Sequence, residues 1–351
     1  MTTAISQTTL TTAEILNRVG ADGRLLPVVD TMLELNELLR YAAAYDGWVR
    51  NNSNLSFKGS RTSSDSSVTE RDYDEGTDYS VSSQEPYEEP TCTLGGWFKL
   101  DLTKLNDQIE PERLVQQELK NKFKVFNKTF HARVFDGDRN TYAKRIRGIN
   151  YRSAYNVLSS EYVYDNSGGK GSATANKTSC YVLAFGPEKF QFSYPQFDGR
   201  MSNGSPADVG GLGFFVKDYG DIVPLLDGNS KPYPGVQSYI EHRFGQVVHH
   251  PGAIRRICNI SCTSIDEVDD FSFNEDYLID ALTQMEDDLG DLNGVVIAVP
   301  TIVKAQLWKR VKEKDNVWGT NADPFGKRVM TFDNHPVITC NCIAKTQAKV
   351  V

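Results

Sequence analysis

Long apolar stretches are missing from this sequence of 351 residues. No apolar run approaches the ~18 residues that a membrane-spanning helix needs, which excludes a helical membrane protein. The opening residues, Met1 to Ser6, lack a basic stretch followed by an apolar core, so we expect no signal peptide. The length exceeds the roughly 250–300 residues at which a single core stops growing, so we expect two domains or one domain with a large insertion.

Cysteine is scarce as well. Six cysteines in a chain of this length do not make a disulfide scaffold. A zinc site would have to combine Cys258 and Cys262 with Cys340 and Cys342 or with the pair His249-His250. These spacings lack the pairs separated by two residues that structural zinc sites favour. We therefore predict reduced thiols that pack in the interior, and no bound metal.

Positive charge is outweighed by negative charge: 38 Lys and Arg face 46 Asp and Glu, for a formal net charge of −8. This balance argues against a protein that binds nucleic acid or anionic membranes over its whole surface. It does not exclude local basic patches on parts of the surface.

Catalytic signatures are also few. The stretch Gly168 to Ser172 is similar to a phosphate-binding loop but fails the required spacing. Neither a G-x-S-x-G nor an H-E-x-x-H motif occurs. The acidic clusters Asp269-Asp270 and Glu286 to Asp288 are typical of solvated helix ends. We predict no catalytic residue, no cofactor and no metal site, and hence no enzyme.

An acidic segment is the most unusual feature that is present. Residues 51–90 are dominated by Ser, Thr, Gly, Tyr and acidic residues, and from residue 65 to residue 89 a single Arg71 opposes the acids. Composition alone predicts a disordered loop. Scattered apolar residues, however, predict two weak strands of a long hairpin. The acids that we single out are Asp65, Glu70, Asp72, Asp74, Glu75 and Asp78.

The clearest helix of the chain carries the opposite charge. Apolar residues recur every three or four positions from Val115 to Val134, Pro111 suits the first turn and Gly137 closes the helix. Its basic residues include Lys120, Lys122, Lys124, Lys128 and Arg133. One interpretation is a solvated helix face. The other is a surface that complements the acidic hairpin of a neighbouring subunit.

The rest of the chain predicts an α+β mixture. A first helix spans Val28 to Ala42, and a capping box from Ser272 to Glu275 announces another. The remaining predictions are a buried strand at 180–185, a half-buried strand at 190–194, a long strand at 236–248 broken at Gly245, a central strand at 295–299 followed by a helix, and a β-hairpin around Asp333-Asn334.

Several stretches, taken together in their order and spacing, resemble one family. They are Leu26 to Leu39, Thr93 to Asn106, Ala184-Phe185-Gly186-Pro187 with Phe192-Ser193-Tyr194-Pro195, Asp218 to Asp221, Tyr239 to Phe244, Arg255 to Ile260, Leu292-Asn293-Gly294 and Phe332 to Ile343. The family is that of the major capsid proteins of tailed double-stranded DNA bacteriophages, in the podophage-type branch of the Hong Kong 97 fold.

The resemblance implies an architecture of five segments. They are an N-terminal arm and helix (1–47), an extended hairpin called the E-loop (48–99), a peripheral domain with a spine helix at about 107–135 (100–178), an axial domain (179–323) and a closing hairpin that returns to the peripheral domain (324–351). We expect the spine helix to pack on a sheet made from the hairpin bases and the closing hairpin.

The resemblance also implies function and partners. Copies of the chain would form hexamers and pentamers of an icosahedral shell around packaged double-stranded DNA, without sequence-specific DNA binding. Partners would be a separate scaffolding protein, a portal protein and a decoration protein, with assembly in the host cytoplasm and a final location in the virion. The alternatives are a soluble oligomeric hydrolase with an acidic insertion, or a phage tail or decoration protein.

Overall fold

The computed structural model describes residues 38–53, 55–106, 111–168, 176–195, 214–218, 222–226, 229–262, 273–311, 318–322 and 328–351. The predicted N-terminal arm, the start of the first helix, the glycine-rich loop after Gly168 and the pair Asp269-Asp270 lie outside these residues. In the described part, no helix is both long enough and apolar enough to cross a bilayer.

The described helices are α1 (Leu38–Ala44), α2 (Leu102–Asn106), α3 (Pro111–Asp136), α4 (Asp276–Leu289) and α5 (Thr301–Val311). The described strands are β1 (Trp48–Arg50), β2 (Ser56–Ser64), β3 (Ser83–Pro90), β4 (Cys92–Asp101), β5 (Val163–Asp165), β6 (Lys177–Ala184), β7 (Phe190–Tyr194), β8 (Phe214–Asp218), β9 (Val223–Leu226), β10 (Pro232–Val248), β11 (Ile254–Ser261), β12 (Val295–Val299), β13 (Trp318–Ala322), β14 (Arg328–Phe332) and β15 (His335–Thr339).

The chain divides into two compact units. The described part of the first comes from Thr93–Phe130 and Phe197–Arg243. In it, β10 pairs antiparallel with β8 and β9 and also pairs with β4. Its apolar core joins β4, α2 and α3 through Phe98, Leu100, Leu105 and Leu114.

The second unit comes from Leu35–Cys92, His131–Gln196 and Phe244–Val351. Its main sheet has seven strands in the order β13-β14-β15-β12-β6-β11-β5. The three strands β6, β11 and β12 are buried along their whole lengths. β12 is apolar throughout, as expected for a strand covered on both faces. β11 also buries Arg256 and Asn259, which donate hydrogen bonds to the Tyr155 carbonyl and the Asp165 carboxylate. The buried face of α4 is Leu278, Ala281, Leu282 and Met285.

Several predicted elements are confirmed. The long helix α3 begins at Pro111 and ends at Asp136, directly before Gly137. The C-terminal hairpin joins β14 to β15 through Asp333 and Asn334, whose φ angles of 46° and 63° are those of the tight turns that Asn and Asp favour. The mixture of helices and sheets is the predicted α+β class.

Two strand predictions are wrong. β10 continues through Gly245 without a break. This glycine marks a close approach of the neighbouring strand instead, because it pairs with Ser193 and a Cβ atom at this position would lie 2.4 Å from the Ser193 Oγ. β7 is buried on both faces rather than half-buried, since Gln191 and Ser193 are buried along with the phenylalanines. The polar side chain of Gln191 is accommodated because its amide donates to the Asp46 carbonyl at 2.6 Å.

Two further predictions need correction. Helix α4 begins at Asp276, later than a capping box from Ser272 requires, and the Asn274 side-chain oxygen accepts the Asp276 N–H at 3.2 Å. The closing hairpin does not share a sheet with the hairpin bases. Instead β15 pairs in parallel with the central strand β12, while β2 and β3 form a separate sheet of two strands. Propensity alone does not reveal which buried edge an apolar strand will join.

Candidate functional site

The predicted acidic hairpin is present and is almost entirely exposed. β2 and β3 pair antiparallel from Ser56 opposite Pro90 to Ser64 opposite Ser83. Beyond the strands, and over all of residues 62–86, every residue is exposed. Large apolar side chains are among them: Val68, Tyr73, Tyr79 and Val81 are each more than 80% exposed. Solvent exposure of this extent leaves an apolar surface that another molecule can cover.

Carboxylates meet at the tip of the hairpin. The chain turns at Asp72 to Glu75, where the Glu75 N–H donates to the Asp72 carbonyl at 3.3 Å and the Asp72 N–H donates to the Glu75 carboxylate at 3.1 Å. Asp74 takes a left-handed φ of 67° within this turn. The structure therefore brings three of the predicted acids together, while Asp65, Glu70 and Asp78 lie exposed along the two arms.

The root of the hairpin, in contrast, is fixed to the rest of the second unit. The Arg61 side chain donates to the backbone carbonyls of Val248 and His249, the latter at 2.8 Å, and its guanidinium lies 4.3 Å from the centre of the Tyr87 ring. Gly59 lies opposite Tyr87, and a Cβ atom there would come within 2.5 Å of the ring. The absent side chain makes the space in which the ring lies.

A buried ion pair completes the root. The Arg152 guanidinium binds both carboxylate oxygens of Glu89, with 3.0 Å between Nη2 and Oε2. Both side chains are less than 10% exposed, and Arg152 Nη2 also lies 3.4 Å from the Gln246 carbonyl. Bidentate geometry of this kind is the strong form of a charge-assisted hydrogen bond. It ties β3 to the segment that follows α3.

The basic helix presents three of its lysines in one row. Lys120, Lys124 and Lys128 are exposed and follow one another at intervals of four residues, so successive side chains are rotated by only about 40° around the helix axis. Phe123 and Val125 of the same helix are also exposed, whereas Phe126, Phe130 and Val134 are buried. The predicted apolar stripe is thus covered only in part.

The other two predicted cations lie elsewhere. Lys122 is half-buried and rotated by about 200° from Lys120, on the opposite side of the helix. Arg133 is half-buried in the second unit, and its burial together with the nearby charge of Arg145 lowers its pKa. The structure therefore separates the predicted basic set into a row of three lysines and two residues outside it.

The described residues contain no cluster of side chains that could bind a metal ion, and their cysteines are not paired. No group of three or more His, Cys, Asp and Glu side chains converges there. The six cysteines are free, and four of them are buried. Burial raises the pKa of Cys92 to about 11 and that of Cys258 to about 12, so these thiols keep their protons at neutral pH.

Sequence reasoning missed the root. It placed Glu89 in the acidic hairpin without a partner, and it considered His249 as a possible zinc ligand rather than as a contact of the hairpin. One signal was available: Tyr87 and Glu89 are two residues apart on one strand and so share a face. A polar segment whose strand places an aromatic ring and a carboxylate on one face is a candidate for anchoring by that face.

Comparison with known proteins identifies the fold, through the structure of bacteriophage Epsilon15. A chain from the near-atomic structure of bacteriophage Epsilon15 superposes with a TM-score of 0.72 at 20% identity, over 99% of both chains. The capsid of bacteriophage JBD30 gives a TM-score of 0.48 at 10% identity, over 90% of this chain and 99% of that one. The holo-SrpI encapsulin complex of Synechococcus elongatus gives 0.43 at 9% identity, over 68% and 94%. No curated protein sequence matches.

The fold is the Hong Kong 97-type capsid fold. A family model described as major capsid protein GP7 matches residues 20–351, which makes the chain a structural protein rather than an enzyme. The chain belongs to this family, it forms the shell of a bacteriophage capsid, and it is located in the virion.

Proposed function

We propose that copies of this major capsid protein form the hexamers and pentamers of an icosahedral shell that encloses packaged double-stranded DNA. Contacts between unlike patches of neighbouring copies close such rings. The net charge of −8 supports a lining without tight phosphate contacts, because each Lys or Arg that neutralises a phosphate adds affinity. The proposed partners are a separate scaffolding protein, a portal protein and a decoration protein, with assembly in the host cytoplasm.

Within the shell, we assign the hairpin the role of an intersubunit strap. The observation that carries this proposal is the unbroken exposure of residues 62–86 on a hairpin whose root is anchored by buried contacts. Ordering the backbone costs roughly 1–2 kcal/mol per residue. The exposed tip makes few contacts in its own chain that could offset this cost, so contacts with a neighbouring copy are needed.

The proposed receptor of the acidic tip is the lysine row of α3 on the adjacent copy. The tip gathers Asp72, Asp74 and Glu75, and the row presents three exposed lysines at intervals of four residues. Exposed ion pairs contribute about 0.2–1 kcal/mol each, which is small for one contact but is repeated in every subunit of a shell.

The division of the chain into five segments, from the arm (1–47) to the closing hairpin (324–351), is also part of the proposed capsid architecture.

A pair of matched charge reversals tests the receptor. Lys124→Glu should lower particle yield, since it reverses a charge within the row and weakens each contact by about 1 kcal/mol, roughly fivefold in its equilibrium constant. Lys122→Glu makes the same charge change on the opposite side of the same helix and should have little effect. The measurement is particle yield by sedimentation at low and high salt.

High salt should also lower the yield of the unaltered protein and should shrink the difference between the two variants. Equal yields for Lys124→Glu and the unaltered protein, together with a yield that does not vary with salt, would show that apolar burial alone drives closure.

A further inference from the structure

His249 directly follows β10 and contacts both strands of the hairpin. Its imidazole meets the Phe57 ring of β2 edge-on, with 5.2 Å between ring centres. Its Nδ1 lies 2.8 Å from the Tyr87 hydroxyl of β3, and its Nε2 lies 3.1 Å from the Gln191 Oε1 of β7. One half-buried, titratable ring therefore joins β2, β3 and β7.

The hydrogen bonds around the ring place a proton on Nε2 and let Nδ1 act as an acceptor when the ring is neutral. The amide nitrogen of Gln191 donates to the Asp46 carbonyl, so the Gln191 oxygen is free to accept from Nε2–H. A neutral imidazole with its proton on Nε2 can then accept the Tyr87 O–H at Nδ1. A protonated ring would carry a second N–H directed at the Tyr87 hydroxyl, which would have to turn its own proton away.

Some charged groups around the ring raise the pKa of His249 and others lower it. Arg61 of β2 places its guanidinium against the His249 carbonyl and repels an imidazolium, while Glu89 of β3 and Glu188 before β7 attract one. Glu89 is held by Arg152, which weakens its attraction. Burial first, and then Arg61, lower the pKa of His249 below its usual value of 6.5, and the two carboxylates only partly oppose this.

We propose that His249 is a pH-dependent latch for the hairpin root: the neutral ring holds β2 and β3 against the rest of the second unit, and protonation loosens them. This function goes beyond shell formation, because it couples the position of the hairpin to proton concentration. It concerns contacts within one subunit, so it does not depend on whether the tip binds a neighbour.

The difference between the pKa of His249 in the docked and in the detached state fixes how docking depends on pH. When the root is detached, His249 titrates near pH 6.5, whereas in the docked state its pKa is lower. Docking is therefore fully stable above pH 6.5. As the pH falls below 6.5, the detached state takes up a proton that the docked state does not, and docking weakens, by at most about tenfold per pH unit, until the docked pKa is reached.

Hydrogen–deuterium exchange of the full-length chain between pH 5 and 8, corrected for the intrinsic pH dependence of exchange, tests the latch. Protection of residues 56–64 and 83–90 should be constant above pH 6.5 and should fall below it, by at most about tenfold per pH unit. In His249→Phe, which keeps an aromatic ring beside Phe57, this dependence should vanish. His249→Gln, which keeps a neutral polar group, serves as a second variant if the phenylalanine perturbs docking.

His335→Asn is the matched control. His335 lies in the second unit at the start of β15, and its pKa is also lowered by burial, yet it belongs to the other hairpin. The control should keep the pH dependence of residues 56–64 and 83–90. Constant protection of these residues in the unaltered protein would overturn the latch, and so would an unchanged pH dependence in both His249 variants.

Discussion

A chain in which residues 65–82 are replaced by a two-residue Asn-Gly turn is expected to fold normally and to form no closed shells. Ser64 and Ser83 face each other at the end of the hairpin ladder, so a tight turn can join them without moving β2 or β3. All of the residues removed are exposed, so the subunit's own core loses nothing. The anchoring contacts of Arg61, Tyr87 and Glu89 remain.

Two readouts on this one variant separate folding from assembly. Thermal unfolding followed by circular dichroism should give a near-normal Tm, and sedimentation with electron microscopy should detect subunits or small oligomers in place of shells. Normal shells from the variant would refute the role of the hairpin tip as a strap. An unfolded subunit would mean instead that residues 65–82 belong to the core.

The second large effect is expected at the buried ion pair of the hairpin root. Arg152→Met or Glu89→Leu alone should lower the free energy of unfolding by about 3–5 kcal/mol, because each change leaves the other charge buried without its partner. The double variant should recover much of this loss, since an apolar pair can replace a buried ion pair at little cost. Denaturant unfolding of all four chains gives the coupling energy directly.

The neighbouring pair Lys58–Glu88 is the control for this cycle. It lies on the same hairpin at 3.9 Å, but both side chains are more than half exposed. Lys58→Met should therefore change the free energy of unfolding by no more than about 1 kcal/mol. Losses of similar size at both pairs, or single Arg152 and Glu89 variants as stable as the unaltered protein, would contradict the assigned role of the buried pair.

Local patterns predicted much of this fold. The long helix α3, the buried strands β6 and β12 and the turn at Asp333-Asn334 each follow from the spacing of apolar residues and from turn chemistry within a short window. The exposed hairpin was predicted in the same way, from few large apolar residues and a surplus of acids. Periodicity and composition carry this information because they reflect which face of an element is buried.

Local sequence patterns could not predict the contacts between residues far apart in the chain. Arg152 and Glu89 are 63 residues apart, and the Arg61 side chain reaches a carbonyl 187 residues away. Nothing local distinguishes these charges from solvated ones. Gly245 was misread for the same reason: a glycine in a strand can mark a break or a close approach, and only the position of Ser193 decides which. The lysines of α3 could be found by composition, but their grouping required the helix geometry.

Amide exchange of the hairpin tip, measured in unassembled subunits and in assembled particles, tests the central claim most directly. That claim is that residues 65–82 are covered by a neighbouring copy. In free subunits these amides should exchange at nearly unprotected rates, whereas in particles they should exchange at least about tenfold more slowly. Amides of the buried strand β6 should be protected in both states and serve as the internal reference. Equally fast exchange of residues 65–82 in subunits and in particles would contradict the account.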